Sequence, residues 1–125
     1  MRIYFPASFN IIVKGHVRAL EKLSKQGEVV VGLLHSRALK GYKKERVPFA
    51  ERKYITEALA RGLKKVRVVP QYTLDPSKNV VKYKCNAIAS GDGWEASELA
   101  AIKKLGIKRI DVRSGCTRHS SDITK

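Results

Sequence analysis

Residues Glu28 to His35 read EVVVGLLH, an almost unbroken apolar run with three consecutive valines. A strand with one wet face alternates apolar and polar residues. A run that is apolar at nearly every position needs cover on both faces, as in a parallel sheet between two helical layers. The rest of the chain supplies the layers. Met1 to Leu23 reads as a short apolar strand, a turn ending in Val13-Lys14-Gly15-His16, and a helix whose Val17, Leu20 and Leu23 recur three apart beside Ala19. Further strands are expected at Lys65–Val69, stopped by Pro70, at Asn86–Ser90 and at Lys108–Val112. A helix beginning near Ala50 is expected to turn Ile55, Ala58, Leu59 and Gly62 to one side. Another, Glu95–Leu105, is expected to point Leu99, Ile102 and Leu105 inward, with Gly106 as its C-terminal stop. Between them, Asp75-Pro76-Ser77 signals a turn, and Val80, Val81 and Tyr83 fit either a short helix or an extended segment. Strands alternating with helices give a three-layer, Rossmann-like α/β sandwich: one domain, residues 1–125, around a five-stranded, mostly parallel sheet with right-handed crossovers.

A chain of 125 residues, 43% hydrophobic and 30% charged, suits one globular core. It has no apolar run near the roughly 20 residues of a membrane span. Its first residues form a strand pattern rather than a secretory signal. Cys85 and Cys116 lack metal or redox spacing, so a reduced, cytoplasmic setting is expected. The unusual quantity is charge: 26 Lys and Arg against 11 Asp and Glu, a net +15. Such a surface attracts polyanions, whether nucleoside triphosphates, phosphorylated substrates or nucleic acid. Nucleic acid is the weaker reading, because the five Tyr, three Phe and one Trp are dispersed rather than interleaved with the basic residues. Much of the charge concentrates in Ser36–Pro48, where Arg37, Lys40, Lys43, Lys44 and Arg46 surround Gly41 and Tyr42; a mobile basic loop is expected there.

Open α/β sheets bind ligands beyond the carboxyl ends of their strands. Four pieces fall there: Phe9–His16, the basic loop, Gly91–Trp94 and Arg113–Asp122. In the first, Gly15 permits close backbone approach, and a helix start offers amides and a positive dipole end to an anion, with Lys14 and His16 adding donors. His35 and His119 read as surface or satisfied histidines.

These pieces carry a resemblance. Ala7–His16, ASFNIIVKGH, resembles the G-T-F-D-x-x-H-x-G-H opening of the cytidylyltransferase-like nucleotidyltransferases. Phe9, Gly15 and His16 agree; Asn10 stands where Asp is usual, and Val13 takes the place of the first histidine. Glu51-Arg52-Lys53 is similar to the segment that opens the second helix of that superfamily. Gly91-Asp92-Gly93-Trp94 is similar to its G-D-D-W, with Gly93 replacing an Asp. His119-Ser120-Ser121-Asp122-Ile123 resembles its closing I-S-T-T-D-I, with Arg113, or in competition Arg118, as the leading arginine. Val68–Asp75, VVPQYTLD, resembles V-V-P-Q-x-T-L-D of the cytidylyltransferase domains associated with phosphoenolpyruvate mutase in phosphonate biosynthesis; glycerol-3-phosphate cytidylyltransferase is also similar.

The resemblance implies transfer of CMP from CTP to a phosphonate or phosphate monoester with release of pyrophosphate. It implies His16 at the reacting phosphorus, and Lys43, with Lys44, closing over the phosphates. Arg113, Ser120 and Ser121 would hold the β and γ phosphates, Phe9, Lys14 and Gly15 would belong to the phosphate-binding turn, and Arg52, Gly91, Asp92 and Trp94 would lie near the nucleoside. A Mg2+ ion bridging the phosphates, supported by Asp92, and a homodimer are also implied. The base could be adenine instead of cytosine. The alternative is a catalytically weakened or inactive nucleotide-binding relative, which Asn10, Val13 and Gly93 favour.

Overall fold

The structure is a computed structural model that describes residues 1–90 and 93–112. Five strands form one sheet: β1 (Arg2–Ala7), β2 (Glu28–Leu34), β3 (Val66–Gln71), β4 (Ala87–Ser90) and β5 (Lys108–Asp111). Helices connect them: α1 (Lys14–Gln26), α2 (Ser36–Leu39), α3 (Phe49–Arg61), α4 (Ser77–Lys82) and α5 (Ala96–Leu105). The strand order is β3-β2-β1-β4-β5 and every pairing is parallel. The chain therefore winds outward from β1 through β2 and β3, then crosses back to β4 and β5. The reversal opens a crevice beside the carboxyl end of β1, where a ligand site is expected on topology alone.

Both sheet faces are covered, as the valine run requires. Ile3, Phe5, Val29, Val31 and Leu33 pack with Ala19, Leu20 and Leu23 of α1 on one side, joined by Phe49 and Leu59 of α3. Tyr4, Val30, Val69 and Ile88 pack with Val80 of α4 and Ala101 of α5 on the other. The strands alternate which layer they feed, and both layers are apolar. The segment after Asp75 resolves as a helix, α4: the Asp75 carboxylate accepts the Ser77 amide at 2.9 Å and starts it. Gly106 ends α5 in the left-handed region at φ 64°, a conformation glycine adopts without a Cβ clash.

Four expectations are corrected. β3 runs through Pro70 to Gln71 instead of stopping, because β3 is an edge strand where a missing N–H leaves no ladder bond unmade. The basic stretch opens with a helical turn, α2, capped by the His35 ring, which accepts the Arg37 amide. The buried face of α3 is Arg52, Thr56 and Ala60, whereas Ile55 is 48% exposed. Leu99 is also exposed, and Glu98 and Ala101 turn inward in its place. Periodicity counts apolar residues, so it misses a face whose polar groups are satisfied by hydrogen bonds.

The VVPQYTLD segment is held by a buried polar network. The Tyr4 hydroxyl donates to Gln71 Oε1 (2.6 Å) and accepts from Asn79 Nδ2 (2.9 Å). Asn79 also donates to the Pro70 carbonyl, and Gln71 Nε2 donates to the Thr73 carbonyl (2.8 Å). Burial pushes the Tyr4 phenol well above its usual range, so it stays protonated as a donor. Gly32 leaves the room: a Cβ there would lie 1.9 Å from the Tyr4 hydroxyl oxygen and 2.8 Å from Gln71 Oε1. Among the described residues, no helix is long and apolar enough to cross a membrane.

Candidate active site

A cavity of about 420 Å³ opens at the carboxyl end of β1, beside the topological reversal. One wall is the β1–α1 turn with Ser8, Phe9, Val13, Gly15 and His16; a second is Tyr42 and Lys43 of the basic loop; a third is Gly93, Trp94, Glu95 and Glu98 at the start of α5. Gln71 and Leu74 after β3 close part of the rim.

The β1–α1 turn presents His16 in one defined tautomer. Val13 is extended (φ −118°, ψ 167°), and its amide donates to His16 Nδ1 at 3.1 Å. In neutral imidazole an accepting Nδ1 puts the proton on Nε2, so the ring's N–H donor is Nε2. Phe9 backs the ring, with centroids 5.0 Å apart, and is itself 4% exposed. Phe9 adopts φ 50°, a conformation non-glycine residues rarely take and one found mainly where surrounding packing enforces it. The first turn of α1 holds no acidic residue, so no side chain of that turn offsets its positive dipole end.

The basic loop, expected to be mobile, is tied at three places. Asn10, 7% exposed, donates from Nδ2 to the Lys44 carbonyl (3.0 Å) and accepts the Arg46 amide at Oδ1 (3.1 Å). The Tyr42 hydroxyl donates to Glu95 Oε1 at 2.7 Å, bridging the loop to the start of α5. Glu45 pairs with Arg52 at 2.6 Å and accepts the Ser36 hydroxyl at 2.6 Å. Those two hydrogen bonds, the Ser36 one foremost, hold the Glu45 carboxyl below the usual carboxylate range. Lys43 lies on the tied loop, with its ammonium 5.4 Å from the Tyr42 ring centroid.

Arg52, expected beside the nucleoside, is 1% exposed and is not among the lining residues. Its guanidinium donates to the carbonyls of Ser8 (2.9 Å), Leu34 (2.6 Å) and Val47 (2.8 Å) as well as to Glu45. One planar fork thus ties together the ends of β1 and β2 and the basic loop.

Phe9, Gly15, His16, Lys43 and Trp94 are brought together around the cavity, whereas Lys14 and Lys44 are exposed and outside its lining. Gly91, Asp92, Arg113, Ser120 and Ser121 lie outside the described residues. Trp94 is placed by its indole N–H, which donates to Asp111 at 2.5 Å, with the Arg109 guanidinium 5.2 Å from its ring centroid. Tyr42, Gln71, Glu95 and Glu98 were not singled out from the sequence. Glu98 had a readable signal, since Glu95-x-x-Glu98 has capping-box spacing, and Glu98 Oε1 accepts the Glu95 amide at 2.9 Å. Burial raises the Glu98 pKa; the hydrogen bond from the Glu95 amide opposes the rise, the Glu95 carboxylate adds to it and Lys43 opposes it. The cavity therefore has a cationic, amide-rich end at α1 and the basic loop and a carboxyl-bearing end at α5. That polarity accommodates a ligand with an anionic head and donor groups elsewhere. Among the described residues, no cluster of His, Cys, Asp or Glu could hold a metal ion by itself.

Comparison with known proteins agrees with this geometry. A structural search finds a crystal structure described as the lipopolysaccharide core biosynthesis protein from Thermoplasma volcanium GSS1. It is 29% identical, covers 90% of this chain and 94% of its own, and superposes with a TM-score of 0.68. No protein of curated function matches the sequence. The family model described as cytidylyltransferase-like matches residues 4–111, from within β1 to the end of β5. The chain belongs to the cytidylyltransferase-like family.

Proposed function

We propose that the chain is a nucleotidyltransferase that moves CMP from CTP to the anionic oxygen of a phosphonate or phosphate monoester. The acceptor oxygen attacks the α-phosphorus in line, the bond from that phosphorus to the bridging oxygen breaks, and pyrophosphate leaves with the electron pair. No covalent enzyme intermediate is required, so the protein contributes position and charge. The observation that carries the reading is the placement of His16: its Nδ1 accepts the Val13 amide, and it lines the same cavity as Lys43 and Gly15 at the start of α1. The start of α1 adds amides and dipole to the same end. The phosphonate acceptor is supported by the resemblance of the VVPQYTLD segment alone; Gln71 and Leu74 of that segment line the cavity. Mg2+ would be held mostly by the nucleotide's own phosphates, with Asp92 the side chain read from sequence for it, neutralising charge on the leaving group. A homodimer is part of the same proposal, carried by the family resemblance alone.

One observation favours a second reading, a nucleotide-binding relative with weakened catalysis. Val13 lines the cavity with an apolar side chain where the related motif has a second imidazole. Pyrophosphate release from CTP and magnesium, with 2-aminoethylphosphonate, 2-hydroxyethylphosphonate or phospho-alcohols as acceptors, separates the two. Acceptor-dependent release supports transfer; CTP binding without release for any acceptor supports the second reading. In the first case, His16→Ala lowers turnover about 10²- to 10³-fold, the usual cost of losing one transition-state donor.

A further inference from the structure

The opposite edge of the sheet carries a second concavity that the nucleotide site does not use. It measures about 700 Å³ and lies at the amino ends of β1, β2 and β3, against the C-terminal turns of α3 and α4. Its walls hold Arg2, Arg61, Lys65, Arg67, Lys82 and Lys84 against one acid, Glu28, and Arg2 already pairs with that acid at 2.8 Å. The other five cations make no salt bridge among the described residues. Arg61 and Lys82 sit in last helical turns, where a cation offsets the negative dipole end, and that alone accounts for them. It does not account for the other three. Arg67 lies on β3, and its guanidinium carbon is 4.9 Å from the ring centroid of half-buried Tyr83, which the Lys82 ammonium also approaches at 5.4 Å. Lys65 and Lys84 both adopt φ 55°.

Lys84 is the informative one. The Lys84 amide donates to the Val81 carbonyl and the Cys85 amide to the Val80 carbonyl, which makes Lys84 the left-handed residue closing α4. Glycine is the favoured residue at that position, and a lysine there costs stability. The chain thus gathers cations that form no salt bridge among the described residues around an aromatic ring, and holds two of them, Lys65 and Lys84, in a backbone conformation that disfavours them.

We propose that this groove binds the phosphodiester backbone of single-stranded nucleic acid without sequence preference. A basic track suits such a strand, with the cations on its phosphates, and the Tyr83 ring holds Arg67 and Lys82 in place along that track. The site is independent of the nucleotide cavity, which opens at the other edge of the sheet.

The test is fluorescence anisotropy of a labelled oligouridylate at several salt concentrations. Binding should weaken as salt rises, with a slope near −0.7 per phosphate neutralised. Arg67→Glu with Lys84→Glu should weaken binding at least about tenfold and flatten that slope by about 1.4. Lys25→Glu with Lys103→Glu, at exposed positions elsewhere, should leave both unchanged. Lys84→Gly should raise the melting midpoint while lowering affinity, which separates loss of the site from loss of the fold. Displacement of the oligonucleotide by excess CTP would place it in the other cavity and overturn the proposal. Equal weakening by the Lys25 and Lys103 pair would reduce the effect to diffuse charge and also overturn it. So would groove-dependent binding to phosphatidylglycerol vesicles with none to the oligonucleotide. Turnover of CTP should be unchanged in the groove variants, so this result and that of the transfer assay are read separately.

Discussion

Asn10 carries a donor and an acceptor on one amide, and both ends are used on the basic loop, at the Lys44 carbonyl and the Arg46 amide. A carboxylate at this position could accept from Arg46 but would face the Lys44 carbonyl with no proton to give. This is a structural reason for the departure from the Asp of related openings. Asn10→Asp is expected to cost about 1–3 kcal/mol, the penalty of an unsatisfied partner, and to speed proteolysis within residues 40–48. Urea denaturation and limited trypsin digestion check both. His16 is legible in sequence because a glycine and a histidine at a helix start form a compact motif. Asn10 reads from sequence as a missing carboxylate, since its partners are backbone groups 34 and 36 residues away.

Among the elements, α3 was the least legible. Its inward face is an arginine and a threonine, and each is satisfied: Arg52 by three carbonyls and Glu45, Thr56 by the Arg52 carbonyl at 2.7 Å. The Glu45 contribution depends on pH. Its pKa is ordinary in the unfolded chain and lowered in the folded one, so its stabilisation is complete above the usual carboxylate range. It is lost as the pH falls through the lowered value. Glu45→Gln should cost about 1–3 kcal/mol at neutral pH and show a shallower acid-side loss than the parent, measured by thermal melts from pH 7 to 3. Glu98, at the start of α5, has the opposite sign. Its pKa is raised, so folding binds its proton more tightly, and stability falls as the pH rises through the window above the ordinary carboxylate value. Glu98→Gln retains an oxygen for the Glu95 amide and removes that loss. Its melting temperature should therefore decline less between pH 4 and pH 7 than that of the parent. A decline equal to the parent's would mean Glu98 does not titrate with folding.

At the scale of the molecule, the sheet was legible because its central run has one physical solution, cover on both faces, and the alternation of elements left little freedom in connecting them. The convergence of the loops was legible only as far as each follows a strand; that Arg52 and Tyr42 tie them together needed side-chain geometry. The Tyr4–Gln71 pair occupies the space that a methyl group at Gly32 would fill. Gly32→Ala would put a carbon into the Tyr4–Gln71 pair and should destabilise the fold by about 1–3 kcal/mol, with displacement of the rim after β3, read by denaturation and by amide exchange at residues 71–75. A neutral substitution there would contradict the proposed role of the buried network. The central claim, that the cavity between α1, the basic loop and α5 performs nucleotidyl transfer, is tested most directly by pyrophosphate release from CTP and magnesium in the parent and in His16→Ala. Release that requires a phosphonate or phosphate-monoester acceptor and falls about 10²- to 10³-fold in the variant is the expected result. Release that is equal in the two proteins, or absent with every acceptor, would contradict it.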